Sequence, residues 1–283
     1  MEDTKISVAQ WIEASYILMT SRMGVSAMQL SKQMGITRNT AWYLLQRIRL
    51  ACGESLSVTS FRKLKGTIEI DESFCGPVVS RMSKEQKDKW KARWGDARGS
   101  KGKGMVIGLR ERETGYRVYV AFSPYTVPKQ PTVEKIIAKY VEPGATIYTD
   151  DASYYQGLRN LGYKGASINK SSPAEWVKAM GGNTNSIESD WAVVKRAWKG
   201  TYVWWSMKYF QLYMNEFAFR LDSGNVKRDT IDRLESLFGA MVGKTLMMKE
   251  LRNETKSIRK ELRDIDESNS RDLGFELDDE IPY

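Results

Sequence analysis

Thr67-Ile68-Glu69-Ile70-Asp71 and Ala145-Thr146-Ile147-Tyr148-Thr149-Asp150 are the two stretches on which the reading of this chain turns. Gly66 precedes the first, Pro143-Gly144 opens the second, and in both β-branched residues alternate with others up to a terminal aspartate. Each reads as a strand that delivers a carboxylate at its C-terminal end. A third stretch, Asn183-Thr184-Asn185-Ser186-Ile187-Glu188-Ser189-Asp190-Trp191, looks like the opening of a helix and carries Glu188. Asp71, Asp150 and Glu188 together offer the hard oxygen ligands that a pair of Mg²⁺ ions needs for an in-line phosphoryl displacement.

Each acid has a competitor. Alternation places Glu69 on the same face as Asp71 and Glu72 on the opposite one, so periodicity does not reject Glu69. Asp151 stands beside Asp150, and either could cap the helix that follows. If Asn185 caps its helix, Glu188 falls at the third helical position and becomes the reciprocal glutamate of a capping box. Glu188 and Lys195 are seven residues apart and project from nearly the same helical face, with Trp191 one turn from each and more readily packed on a sheet than beneath DNA. Arg196, Lys199 and Tyr202-Val203-Trp204-Trp205 continue the mixture of basic and aromatic residues, although Trp204 and Trp205 suit a core equally.

From Gly66 onward the pattern predicts strands over 67–71, 105–110 and 116–122, the last two joined at Glu113-Thr114-Gly115. Helix 132–140, strand 145–149, helix 152–161, strand 164–169 and helices 185–198 and 206–220 follow. Between the first two strands, residues 81–103 hold nine Lys/Arg and three acids with Trp90, Trp94 and several glycines. This reads as an exposed loop that either tracks a phosphate backbone with stacking tryptophans or is simply solvated, its tryptophans covering the domain. Gly99 to Gly104 lacks the spacing of a nucleotide phosphate loop, so no nucleotide cofactor is expected.

The first 60 residues read differently. A helical pattern over 8–22 is followed by Ser26 as a cap, a helix to Met34, a turn at Gly35-Ile36, and Thr37 capping a helix from Arg38 to Cys52. Small residues Ser31 and Ala41 stand where two helices would meet closely. This is a helix-turn-helix pattern, whose second helix would offer Arg38, Asn39, Thr40 and Tyr43 to a DNA groove and Arg47 and Arg49 to phosphates; the alternative is a helical hairpin that only packs on the main domain. At the other end, 229–242 and 245–266 read as helices. Residues 272–283, with five acids and no Lys/Arg, read as a disordered solubilising tail or a mask over a basic face.

Four motifs in order, IEIDES (68–73), GLRERETGYRVYV (108–120), IYTDDASYYQGL (147–158) and NTNSIESDWAVVKRAWKG (183–200), resemble the DDE transposases of bacterial insertion sequences, most nearly the ISXO-type transposase domain. The resemblance covers roughly Gly66 to Arg220. It implies an α/β fold, an RNase H-like mixed sheet flanked by helices, with its first and fourth strands adjacent so that Asp71 lies beside Asp150. It further implies Mg²⁺ (Mn²⁺ may substitute) held by Asp71, Asp150 and Glu188. The chain departs from the family in lacking histidine: Asn183 and Lys170 stand where the family usually has one, which removes every mechanism with a histidine base or ligand.

Composition sets the outer bounds. A net charge of +9 and a pI near 9.3 point to a polyanionic partner. Residues 1–65 hold nine Lys/Arg against four acids, whereas 253–283 hold five against ten. Two cysteines cannot frame a zinc ribbon, and no apolar run would span a membrane. The reading is a cytoplasmic, nucleoid-associated DNA transposase with a helix-turn-helix region (1–60), a catalytic domain (64–222) and a C-terminal helical segment (223–283). It would act on the double-stranded ends of its element and on target DNA, at least as a dimer, with Lys195, Arg196 and Lys199 along the substrate. A non-catalytic DNA-binding relative and a structure-specific nuclease are the alternatives.

Overall fold

In the computed structural model, residues 5–59, 63–76, 82–95, 102–124, 128–150, 153–168, 183–202, 205–222 and 229–242 are described. Five strands form one mixed sheet: β1 (Thr67–Cys75), β2 (Gly104–Glu111), β3 (Arg117–Phe122), β4 (Thr146–Asp150) and β5 (Lys164–Ile168), in the spatial order β3-β2-β1-β4-β5. β1 pairs antiparallel with β2 and β2 with β3, while β1–β4 and β4–β5 are parallel. Three antiparallel strands followed by helix-linked parallel ones, with the first and fourth adjacent, is the RNase H-like arrangement.

Strand alternation sorts the side chains onto two layers. Ile68, Ile70, Ile107 and Leu109 face a core closed by α5 (Gln130–Tyr140) and a 3₁₀ helix, Ser153–Leu161. Glu69, Asp71, Val106 and Tyr119 belong to the other face, covered by α6 (Asn185–Ala197) and α7 (Phe210–Asp222). Trp198, Trp205, Phe210 and Tyr213 stack in that second core, with Trp198 and Trp205 edge-to-face at 4.3 Å. Trp205 is therefore a packing residue; Trp204 lies outside the described residues.

The N-terminal helices are α1 (Val8–Thr20), α2 (Ala27–Met34) and α3 (Arg38–Thr59). Ser26 caps α2 through the N–H of Gln29, and Gly35 ends it in the left-handed conformation (φ 63°) that a side chain would strain. Thr37 accepts from the N–H of Thr40 and starts α3. Ser31 and Ala41 are buried, as close helix approach requires. Their core also takes in Phe219 of α7 and Leu237 and Met241 of α8 (Thr230–Met241).

Three sequence expectations need correction. The segment 81–103 is not wholly loop: residues Lys84–Trp94 form a helix, α4, started by a reciprocal capping box between Ser83 and Gln86. Trp90 is half-buried over Gly102, where a Cβ would meet its ring at 2.3 Å, so this tryptophan covers the domain. β1 runs on past Asp71 to Cys75, so this aspartate stands within its strand and not at the end; the helix expected over 152–161 is present from Ser153 to Leu161 and winds as 3₁₀. Arg49 is unavailable to phosphate: it is 1% exposed and its Nε donates to Glu216 Oε2 at 2.6 Å, with its guanidinium 4.0 Å from the centre of the Tyr213 ring. The 3.6-residue period alone did not distinguish this arginine from Arg47, which is half-buried with its guanidinium 4.5 Å from the centre of the Tyr43 ring. The acidic tail and residues 245–266 lie outside the described residues. Among the described residues no helix is long and apolar enough to cross a membrane.

Glu216 also accepts from Arg220 Nε and Tyr202 Oη, and Arg220 donates onward to the carbonyls of Ser21 and Arg22. One buried carboxylate thus joins α7 to both the α1–α2 turn and α3. Burial pushes this carboxyl up, but Arg49 and Arg220 outweigh it and hold it below its ordinary value of 4.5. The stability it contributes is present above 4.5 and is lost as pH falls through the lower folded value. Glu216→Gln should cost about 3–5 kcal/mol by leaving two buried guanidinium groups uncompensated. Urea denaturation at neutral pH and at pH 4 checks this; the variant should show the smaller loss on acidification.

Candidate active site

The parallel ladder between β1 and β4 runs from Thr67↔Thr146 to Glu69↔Tyr148. Two residues further along each strand stand Asp71 and Asp150. Past Glu69, β1 continues against β2 as far as Cys75 but pairs no longer with β4. A notch therefore opens at the carboxyl end of the parallel β1–β4 ladder, the side of such sheets on which ligands usually bind. Asp71 is buried and Asp150 half-buried beside it.

Glu72 joins them. Its position on the opposite face agrees with alternation, since it accepts from the hydroxyl of Tyr155 on the 3₁₀ helix at 3.2 Å. Yet ligand oxygens of Asp71, Glu72 and Asp150 all lie within 4.8 Å of one another. The open strand edge allows a long side chain to reach round from the other layer. Sequence alternation alone would have discarded Glu72.

Trp191 was not among the expected site residues, but its Nε1 donates to Asp71 Oδ2 at 3.1 Å. It packs on the sheet, as its sequence context suggests, with Tyr119 at a ring-centroid distance of 5.1 Å. Gly108, directly opposite Asp71 in the β1–β2 ladder, makes this approach possible: a Cβ there would come within 2.6 Å of Trp191 and 2.9 Å of Ile187. The signal was present in the motif as a glycine inside a strand.

Glu188 sits on α6, which packs against β1. The N-cap is Thr184, one residue before the expected Asn185, so the reciprocal capping position falls on Ile187 and not on Glu188. Glu188 is exposed and its Oε1 accepts from Thr184 Oγ1 at 3.0 Å. It stands outside the Asp71–Glu72–Asp150 trio. Glu69, the competitor of Asp71, is committed elsewhere. Its Oε1 accepts from Arg112 Nε at 2.8 Å, and its Oε2 accepts from the backbone N–H groups of Ser186 at 2.9 Å and Ile187 at 3.0 Å.

Asp190 is structural. It accepts from Tyr119 Oη and Arg110 and lies 3.4 Å from Arg117; burial raises its pKa against the opposing pull of Arg117 and Arg110. On the outward side of α6 and just past it, Lys195, Arg196 and Lys199 are exposed. At the start of α3, Arg38 and Asn39 are exposed and Thr40 and Tyr43 half-buried. Asp151 and Lys170 lie outside the described residues.

The donor set fits a hard cation. The trio offers carboxylate oxygens only, with no imidazole anywhere in the chain. Cys75, at the end of β1, is no thiolate ligand: burial pushes its thiol up to about 12 against the pull of Lys195 and Lys103.

The ISXO2-like transposase domain matches residues 63–222. No curated protein matches the chain. Among solved structures, similarity is found to the Mos1 strand transfer complex (10% identity, 87% of this chain and 82% of that one, TM-score 0.25). The Mos1 mariner paired-end complexes with Mn (12% identity, 79% and 80% of the two chains, TM-score 0.24) and with Mg (10% identity, 87% and 83%, TM-score 0.24) are similar at the same level. At such TM-scores the site must be understood from this chain's own residues.

Trp191→Phe keeps the ring's packing and removes the indole N–H that donates to Asp71. Mn²⁺ affinity, read by electron paramagnetic resonance, should fall about 10-fold with little change in thermal stability, the usual scale for losing a group that orients a metal ligand.

Proposed function

The chain belongs to the ISXO2-like transposase domain family, and from that premise we propose that it binds the ends of its mobile element, cuts a DNA strand and joins the resulting 3′-hydroxyl to target DNA. The observation that carries this reading is the convergence of Asp71, just past the point where β1 leaves its ladder with β4, and Asp150 at the end of β4, with α6 bringing Glu188 along β1. Mg²⁺, or Mn²⁺ in its place, would be held by Asp71, Asp150 and Glu188. Bound there, two such ions supply Lewis-acid activation of the attacking oxygen and neutralise the charge on the leaving oxygen.

The protein's part is to hold oxygen ligands and DNA in register. Trp191 fixes one oxygen of Asp71 through its indole N–H. Asp71 is buried while Glu188 is exposed, so one ligand is set in the sheet and another stands where a phosphate would arrive. Lys195 lies two turns beyond Glu188 and, with Arg196 and Lys199, continues a cationic strip suited to the backbone of the strand being cut. With no histidine available, no imidazole moves a proton in the reaction.

Recognition of the ends belongs to α2 and α3. Arg38 and Asn39 are exposed at the first turn of α3, where a groove-reading helix presents its side chains, with Thr40, Tyr43 and Arg47 behind them. Joining two ends requires at least two protomers.

Asp71→Asn, Asp150→Asn and Glu188→Gln should each abolish Mg²⁺-dependent cleavage of element-end DNA while end binding stays close to wild type. A variant that cleaves normally removes its residue from the metal site. Arg38→Ala and Asn39→Ala should lower discrimination between end and random DNA, each by about 1–3 kcal/mol where the side chain reads a base. Lys195→Ala should weaken binding or cleavage whatever the sequence. A chain starting at Gly66 that selected ends as well as the full protein would refute the assignment of α2 and α3.

A further inference from the structure

We propose that Glu69 is a positioning residue for the transfer reaction: it seats the first turn of α6 on β1 and thereby sets where Glu188 stands relative to Asp71 and Asp150. This inference rests on the function proposed above. The helix needs such a seat. The first N–H groups of any α-helix lack intrahelical acceptors, and the side chain of Thr184 at the N-cap, which donates to Glu188, accepts from none of them. The acceptor comes instead from Glu69, 117 and 118 residues away in the chain from the two amides it receives. A buried carboxylate at a helix N-terminus is favoured both by these donors and by the helix dipole.

Arg112 makes the seat rigid. Its Nε donates to the other oxygen of Glu69, and one of its terminal amino groups donates to the backbone carbonyl of Asn183 at 2.8 Å, just before the helix begins. The same guanidinium lies 5.2 Å from the ring centre of Tyr148, the residue paired with Glu69 across the β1–β4 ladder. One carboxylate and one guanidinium thus link β1, the end of β2, β4 and the start of α6. Arg112 and the amides of Ser186 and Ile187 all meet Glu69 as donors. A glutamine there offers one acceptor oxygen and turns its amide hydrogens against N–H groups.

The location makes the link functional. Glu69 is two residues before Asp71 on the same face of β1, and the helix it anchors carries Trp191, which holds Asp71, and Glu188, one residue past the anchored Ile187. Loosening the first turn shifts the exposed carboxylate while leaving the two aspartates in the sheet.

The test uses the full chain with Glu69→Gln, and Arg112→Gln as a second variant that keeps the buried carboxylate. Hydrogen exchange at the amides of Ser186 and Ile187 should accelerate at least about 10-fold in Glu69→Gln, while Ile107 and Val120 in the sheet exchange as in wild type. Mn²⁺ affinity read by electron paramagnetic resonance should fall about 10-fold, kcat for cleavage should fall, and affinity for end DNA should stay unchanged. Arg112→Gln should move exchange and Mn²⁺ affinity in the same direction by less. Unchanged exchange at Ser186 and Ile187, or faster exchange with unchanged Mn²⁺ affinity, overturns the proposal, as does loss of protection throughout the sheet in both variants. A wild-type protein that neither cuts nor joins, with both readouts moving as expected, would uphold the seat and sink the transfer reaction.

Discussion

The ladder between β1 and β4 ends after Glu69 and Tyr148, while the ladder between β1 and β2 runs on to Cys75. The geometry of the site follows from that mismatch. A strand held on one side and released on the other keeps its backbone fixed while its side chains reach a shared opening. Asp71 and Asp150 come from neighbouring interior strands, Glu72 from the layer opposite Asp71, and their oxygens still gather within 4.8 Å. Three like charges at such spacing repel one another, so the arrangement suits a counter-charge.

Buried polar groups around this opening are partnered in a way that ties distant segments together. Glu69 receives two amides and a guanidinium, Asp190 receives Tyr119 and Arg110, and Trp191 donates to Asp71. Each buried charge costs desolvation that only well-placed partners offset. Such groups add little net stability, but they penalise any packing of α6 other than the native one. Gly108 adds a steric term to the same end, because any side chain there would collide with Trp191 and Ile187.

A second buried charge centre organises the far end of the molecule. Glu216 binds Arg49 from α3 and Arg220 from its own helix, and Arg220 holds the α1–α2 turn through two carbonyls. The N-terminal helices consequently share a core with Phe219, Leu237 and Met241. The exposed start of α3 is presented by a scaffold fixed to the sheet's own helices.

The sequence by itself determined the order and type of the strands, the caps at Ser26 and Thr37, and the aspartate that ends β4, while it stopped β1 at Asp71, four residues short of Cys75. These depend on period, turn chemistry and neighbouring residues, all of which are local. Motif resemblance added the adjacency of β1 and β4, which periodicity cannot supply. Only the tertiary structure decided that Arg49 is buried while Arg47 is not, since both have the same charge on the same helix and differ in what packs against them. It also decided that Glu69 seats a helix and that Glu72 reaches the notch, because those outcomes depend on strands and helices more than 70 residues apart in the chain meeting at one edge. The helix α4 was hidden by its charge: it carries no apolar stripe, and only the Ser83–Gln86 capping box marked it.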